Sequence, residues 1–139
     1  MTQKYRLLAY LWASPATFLG LLFVPLAYIS DGRVRVVSGV IEISGGLVSR
    51  FLQRGMLVIG SAGAMTLGHV ILGQDENCLA YCRKHERVHV AQYERWGPFL
   101  IPLYLLASGA ARLRGQHPYW GNRFEREAYN KEAHRVTAK

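Results

Sequence analysis

Apolar and polar side chains are spaced in three different ways along this chain, and each spacing predicts a different kind of element. Residues 7–29, LLAYLWASPATFLGLLFVPLAYI, carry no charge. A run of that length can cross the hydrocarbon core of a bilayer as a helix, which takes about 20 residues. Lys4 and Arg6 precede it, Asp31, Arg33 and Arg35 follow it, and Tyr10, Trp12 and Tyr28 suit the membrane interfaces. Pro15 and Pro25 interrupt the run. Ser14 offers a cap for a helix starting at Pro15, which would shorten the span, although membrane helices tolerate proline. A cleaved signal peptide is the rival reading, but its apolar core is shorter and ends in small residues, whereas this run ends in PLAYISDG. The expectation is a retained single-pass anchor over residues 1–32 and a domain over residues 33–139. Both flanks are basic, so charge does not fix the orientation; the cytoplasmic side is preferred for the domain.

Between residues 33 and 73 the apolar period shortens. RVRVVSGVIEISGG alternates and is rich in Val and Ile, and GMLVIG and MTLGHVILG follow, separated by glycines. These read as short strands with turns at Gly39, Gly45, Gly46, Gly60 and Gly63, which together predict a small, mostly antiparallel sheet. From Asn77 the spacing becomes helical. CLAYCRKHERVHVAQYERWG runs from a polar cap to a glycine stop at Gly97, with Leu79, Cys82, Val90 and Tyr93 at helical steps. PFLIPLYLLASGAARLRG predicts a second helix whose apolar stretch, residues 99–111, is too short to span a bilayer and suits a core helix or one lying along a membrane surface. HPYWGNRFEREAYNKEAHRV predicts a third, capped by Asn122. The fold class expected is α+β.

Composition narrows the picture. Half of the 139 residues are hydrophobic, which excludes a disordered chain and suits one compact domain plus an extra element. The net charge is +8, and arginine outnumbers lysine 13 to 4. The basic residues are scattered, without a basic run or an aromatic-basic ladder, so no nucleic-acid partner is expected. A surface facing membrane lipid fits the charge better. Cys78 and Cys82 form a C-x3-C pair with no second pair to complete a zinc ribbon, and read as free thiols in a reducing compartment. Oligomeric state is left open.

His85-Glu86-Arg87-Val88-His89 is an H-E-x-x-H motif inside the helical stretch. Residues four apart share a helix face, so the two imidazoles can bind one tetrahedral metal ion, and zinc suits nitrogen ligands. Glu86 lies on the flank, where it can take a proton from water at the metal without ligating it. A third ligand must come from elsewhere; Glu125, Glu127 and Glu132 in the last helix are the candidates. His117 and His134 read as loop and tail histidines, and Glu94 as a solvated or ion-paired carboxylate facing away from the motif.

The motif and the later glutamates resemble the gluzincins, zinc metallopeptidases with H-E-x-x-H on one helix and a ligand glutamate on a later one. The membrane prenyl-protein endopeptidases and their small relatives commonly show E-x-x-A-D at that place. Here Glu125-Arg126-Glu127-Ala128-Tyr129 matches at Glu and Ala and departs at Tyr129. The resemblance covers residues 66–129 at most, and it implies a zincin-like metal-binding unit with Glu125 as ligand and Glu127 as neighbour. The departure at Tyr129 leaves open what supports a ligand histidine from behind. Helix geometry agrees with the choice: residues two apart point about 200° apart, and Glu127 has Arg123, Arg126 and Lys131 around it, as on a solvated face. The resemblance further implies that TLGHVIL is an edge strand beside the active-site helix, pairing with an extended peptide; His69 on it either faces the substrate or is a half-buried strand histidine. The function expected is zinc-dependent hydrolysis of peptide bonds in a peptide or protein by a membrane-anchored enzyme, with Glu86 as general base. The competing class is a non-enzymatic membrane subunit, or a zinc-binding protein in which the motif is structural.

Overall fold

The structure, a computed structural model, describes residues 3–55 and 63–137. It is α+β: an apolar N-terminal helix, a four-stranded mixed sheet and C-terminal helices. The elements in chain order are α1 (Gln3–Leu21), α2 (Phe23–Tyr28), β1 (Arg33–Val37), β2 (Val40–Ser44), α3 (Gly46–Arg54), β3 (Ala64–Leu67) and β4 (Val70–Gly73). Then come α4 (Glu76–Trp96), a short 3-10 turn (Gly97–Phe99), α5 (Leu100–Leu113) and α6 (Arg123–Thr137).

The sheet order is β1-β2-β4-β3. The outer pairs β1–β2 and β3–β4 are antiparallel hairpins, while the central pair β2–β4 is parallel, which makes the sheet mixed. Ser38 and Gly39 both have positive φ, the geometry a two-residue hairpin turn needs. Every residue of β4 is buried. Val70 and Leu72 pack with Ala27, Val48 and Leu52 from α2 and α3, whereas Ile71 packs with Leu79 and Val90 of α4. The sheet is thus covered on both faces, as a continuous apolar central strand requires.

Two expectations change here. TLGHVIL is not one strand but the β3–β4 hairpin, folded at Gly68 (φ 61°) and His69. GLVSRFLQR forms α3 instead of continuing the strands. Its apolar residues Leu47, Val48, Phe51 and Leu52 recur at helical spacing, a signal masked by the adjoining glycines. The strand expected in GMLVIG and the turn at Gly60 lie outside the described residues.

Helix α4 is held to the sheet by arginines as well as by packing. Arg83 grips the buried Glu42 of β2 with two bonds, Nε at 2.7 Å and a second guanidinium nitrogen at 2.9 Å. One turn later Arg87 donates to the carbonyls of Val37 and Ser38 in the β1–β2 turn. Leu79, Arg83, Arg87 and Val90 therefore define the sheet side of α4, which turns His85 and His89 the other way.

Helix α1 runs through Pro15 without a new start; the Ser14 hydroxyl donates to the Leu11 carbonyl at 2.7 Å and caps nothing. Its inward residues are small. Ala13 and Ala16 pack with Tyr93, Leu100 and Phe124, and a Cβ on Gly20 would lie 2.5 Å from Val70. Its outward residues are large and apolar: Leu7, Leu11 and Phe18 are each more than 60% exposed. Residues 4–28 are long and apolar enough to cross a membrane. Small residues facing protein and large apolar ones facing outward are a pattern that membrane helices also show. The full chain is expected to stay with the membrane pellet after alkaline carbonate extraction; its release into the supernatant would contradict a lipid-facing α1.

Candidate metal centre

Three elements build the centre: α4, α6 and the edge strand β3. Asp75 starts α4, its carboxylate accepting from Cys78 N at 2.8 Å, and Gly97 (φ 56°) ends it. Between these caps His85 and His89 fall on the side turned from β2 and β4, Glu86 faces β3, and all three are buried. Helix α6 begins behind Asn122, whose side-chain oxygen accepts from Phe124 N at 2.9 Å, as the sequence predicts for a cap. The amide nitrogen of the same fully buried residue donates to Tyr104 O and Ser108 Oγ of α5, so the cap also fixes where α6 starts. One turn on, Glu125 enters the space beside the histidines.

His85, His89 and Glu125 are brought together. His85 Nε2 lies 3.0 Å from Glu125 Oε2 and 3.1 Å from His89 Nε2, and His89 Nε2 lies 3.4 Å from Glu125 Oε1. Tetrahedral ligands at about 2.0–2.1 Å from a zinc ion are separated from each other by about 3.3–3.4 Å. The three side chains, one ligand atom each, can hold a metal ion with little movement. Glu127, two residues from Glu125, points elsewhere. It pairs with Lys131 and Arg95, and it also accepts from Gln92 Nε2 at 3.0 Å, so it does more than face solvent. Gln92 in turn presents its Oε1 to His89 Nδ1 at 2.9 Å and donates to Phe124 O.

Glu86 is not part of the triad. Thr66 of β3 donates to its Oε2 at 2.6 Å, and Glu86 and the triad line one cavity of about 960 Å³. The walls are largely apolar, including Leu19, Phe23, Met65, Leu100 and Ile101. Tyr104 donates to Glu125 Oε1 at 2.6 Å, and the Tyr129 ring packs 4.4 Å from that of His85.

The electrostatics follow from burial among like and unlike charges. Burial pushes the Glu86 carboxyl up, and the positive His89 and the Thr66 bond only partly oppose it. Burial pushes Glu125 up too, but bonds from His85, His89 and Tyr104 outweigh it and hold this carboxyl well below the usual carboxylate range. For His89, burial disfavours the charge, yet Glu125 and Glu86 overcome it and push the pKa from 6.5 up to about 9.

Of the remaining sequence candidates, His69 and Glu94 lie apart, whereas His117, Cys82 and Glu132 are further residues of the cavity wall. His69, a candidate to face the substrate from a strand, sits in the β3–β4 turn and is not among the residues lining the cavity. Its Nε2 meets Glu94 at 3.0 Å and its ring stacks on Tyr10 at 3.8 Å, so it joins α1, the hairpin and α4. Glu94 thus has the His69 ring as its hydrogen-bond partner. His117 caps its own turn, its Nδ1 accepting from Tyr119 N. Cys78 and Cys82 share a face of α4 as free thiols 3.9 Å apart, and burial pushes the Cys82 thiol up to about 12. Thr66 and Tyr104 had no signal in the sequence, because each reaches the site by tertiary packing alone. Gln92 had one: it lies three residues past His89, where a helix side chain can touch it.

The chain matches no protein-family model, no curated protein and no solved structure.

A metal ion must displace the proton that Glu125 and Glu86 keep on His89. Zinc affinity is therefore expected to rise about tenfold per pH unit between pH 6.5 and about 9, then level off. The same proton acts oppositely on the metal-free fold. Its contribution is complete below the unfolded value near 6.5 and is lost as pH rises through about 9. Chelator competition across this range reads the first effect and thermal melting of metal-free protein the second. A flat affinity profile would contradict the assignment of His89.

Proposed function

We propose that this chain is a zinc metallopeptidase of the gluzincin type, anchored to a membrane through α1. The observation that carries the reading is the convergence of two imidazole Nε2 atoms and one carboxylate at tetrahedral ligand spacing, with a separate buried carboxylate beside them in the same cavity. Two nitrogens and an oxygen suit zinc, and three protein ligands leave a fourth position open, as in catalytic sites. Zinc bound there would supply Lewis acidity, polarising a carbonyl and easing loss of a proton from water near neutral pH.

The chain's own residues supply the rest. Glu86 accepts the proton from the attacking water and delivers it to the leaving amine. Its raised pKa suits both halves of that task, since a base that is too weak could not take the proton and one too strong would not release it. Thr66 fixes the orientation of the carboxylate through its bond to Oε2. Among the described residues strand β3 is the sheet edge, bonded to β4 on one side, and Ala64, Met65 and Thr66 line the cavity. An extended peptide can add to that edge by main-chain bonding, which would bring its carbonyls alongside Glu86. The exposed apolar face of α1 supports the membrane anchor, since those side chains gain from lipid what they lose in water.

Elemental analysis of purified full chain is expected to give about one zinc per molecule, and His89→Ala to lose it. Glu86→Gln is expected to keep the zinc and to lower cleavage of a quenched-fluorescent peptide library by about 10²–10⁴-fold. Equal zinc in wild type and His89→Ala would contradict the site. Loss of zinc in Glu86→Gln would make that residue a ligand or a support, and undiminished cleavage in it would remove Glu86 as the base.

A further inference from the structure

Each imidazole of the triad turns Nε2 inward, so each also turns Nδ1 outward, and the two Nδ1 atoms have different surroundings. His89 Nδ1 meets the side-chain oxygen of Gln92 at 2.9 Å. The amide nitrogen of Gln92 is occupied by Phe124 O and Glu127, which fixes the amide the right way round. An amide oxygen only accepts, so the Nδ1 of His89 carries the donated proton, and Nε2 keeps its lone pair for a metal once the charge-balancing proton has left.

His85 Nδ1 is buried and makes no hydrogen bond among the described residues. A buried imidazole nitrogen without a partner costs stability, and the Glu125 carboxylate 3.0 Å from Nε2 favours the proton on that nitrogen in the metal-free site. If Nε2 holds the proton, the lone pair points away from the triad and the metal loses a ligand. A carboxylate oxygen of Glu132 lies 3.6 Å from this nitrogen, roughly half an ångström beyond a hydrogen bond. Glu132 follows Glu125 by seven residues, two helical turns, so both point from the same face of α6. Tyr129, between them on that face, packs its ring on His85 and limits how the imidazole can turn.

We propose that Glu132 is the positioning residue of His85: it accepts the Nδ1 proton, fixes the tautomer with Nε2 free, and so makes α6 supply both a ligand and an outer support. This rests on the metal-site reading above. The Glu132 side chain is 30% exposed and has room to close the short gap. Tyr129 faces His85 with its ring, and its hydroxyl meets that of Tyr119 at 3.0 Å, so it is engaged elsewhere.

The test compares full-length wild type, Glu132→Ala and Glu132→Gln by chelator competition with zinc and by the visible spectrum of the cobalt(II)-substituted protein. Removing an outer partner of this kind weakens metal binding by about 10–100-fold, and Glu132→Ala is expected to fall in that range. Glu132→Gln keeps an accepting oxygen and is expected to restore most of the affinity and the wild-type cobalt spectrum. The metal-free variants should still unfold in one cooperative transition, with Glu132→Ala only modestly lowered by its unpartnered nitrogen, which separates positioning from a general loss of structure. Unchanged zinc affinity in Glu132→Ala, or Glu132→Gln as weak as Glu132→Ala, would overturn the role of Glu132 while leaving the triad standing. Failure of wild type to bind zinc would overturn the triad and this proposal together.

Discussion

The contact between α4 and α6 through Glu125 is the constraint around which the rest of the domain is arranged. A carboxylate and two imidazoles are buried together in the wall of an apolar cavity. Taking an isolated carboxylate out of water costs several kcal/mol, and such groups survive burial only when paired and hydrogen-bonded. Glu125 meets that condition with His85, His89 and Tyr104. Moving α6 by even a fraction of a turn would leave one of these groups buried and unpartnered. The Asn122 cap, tied to Tyr104 O and Ser108 Oγ, prevents that movement.

Helix α4 must also be fixed in rotation, because its two sides serve different purposes. Leu79 and Val90 bury apolar surface on β2 and β4, and Arg83 and Arg87 anchor the same side to Glu42 and to the β1–β2 turn. With four points along one side engaged, His85 and His89 have no alternative but the cavity. Two of the arginines that make the composition basic, Arg83 and Arg87, are thereby engaged within the fold. The net charge alone would suggest a surface role for them, and at Arg83 the structure assigns an internal one.

Much of the site was legible because helical spacing is local. The i, i+4 histidines, the flanking glutamate and the face argument separating Glu125 from Glu127 all depend on neighbours within a turn or two, and the structure brings His85, His89 and Glu125 together. The three C-terminal helices and the Asn122 cap were legible for the same reason. What escaped depends on distance or on short segments. The parallel β2–β4 pairing joins residues about thirty apart and leaves no mark on either strand. Helix α3 has nine residues, too few for its period to outweigh two glycines. His69 fitted a strand facing a cleft until Gly68 folded that strand into a hairpin and sent the imidazole to Glu94 and Tyr10. Thr66 reaches Glu86 across twenty residues of sequence, and only the folded chain reveals that bond.

The claim that His85, His89 and Glu125 hold the metal is tested most directly by X-ray absorption at the zinc edge of the zinc-loaded full chain. The account predicts only nitrogen and oxygen neighbours at about 2.0–2.1 Å, with the multiple scattering of two imidazoles. A sulfur neighbour at about 2.3 Å would place the metal on Cys78 or Cys82, and a shell without imidazole scattering would take it away from α4; either result contradicts the account.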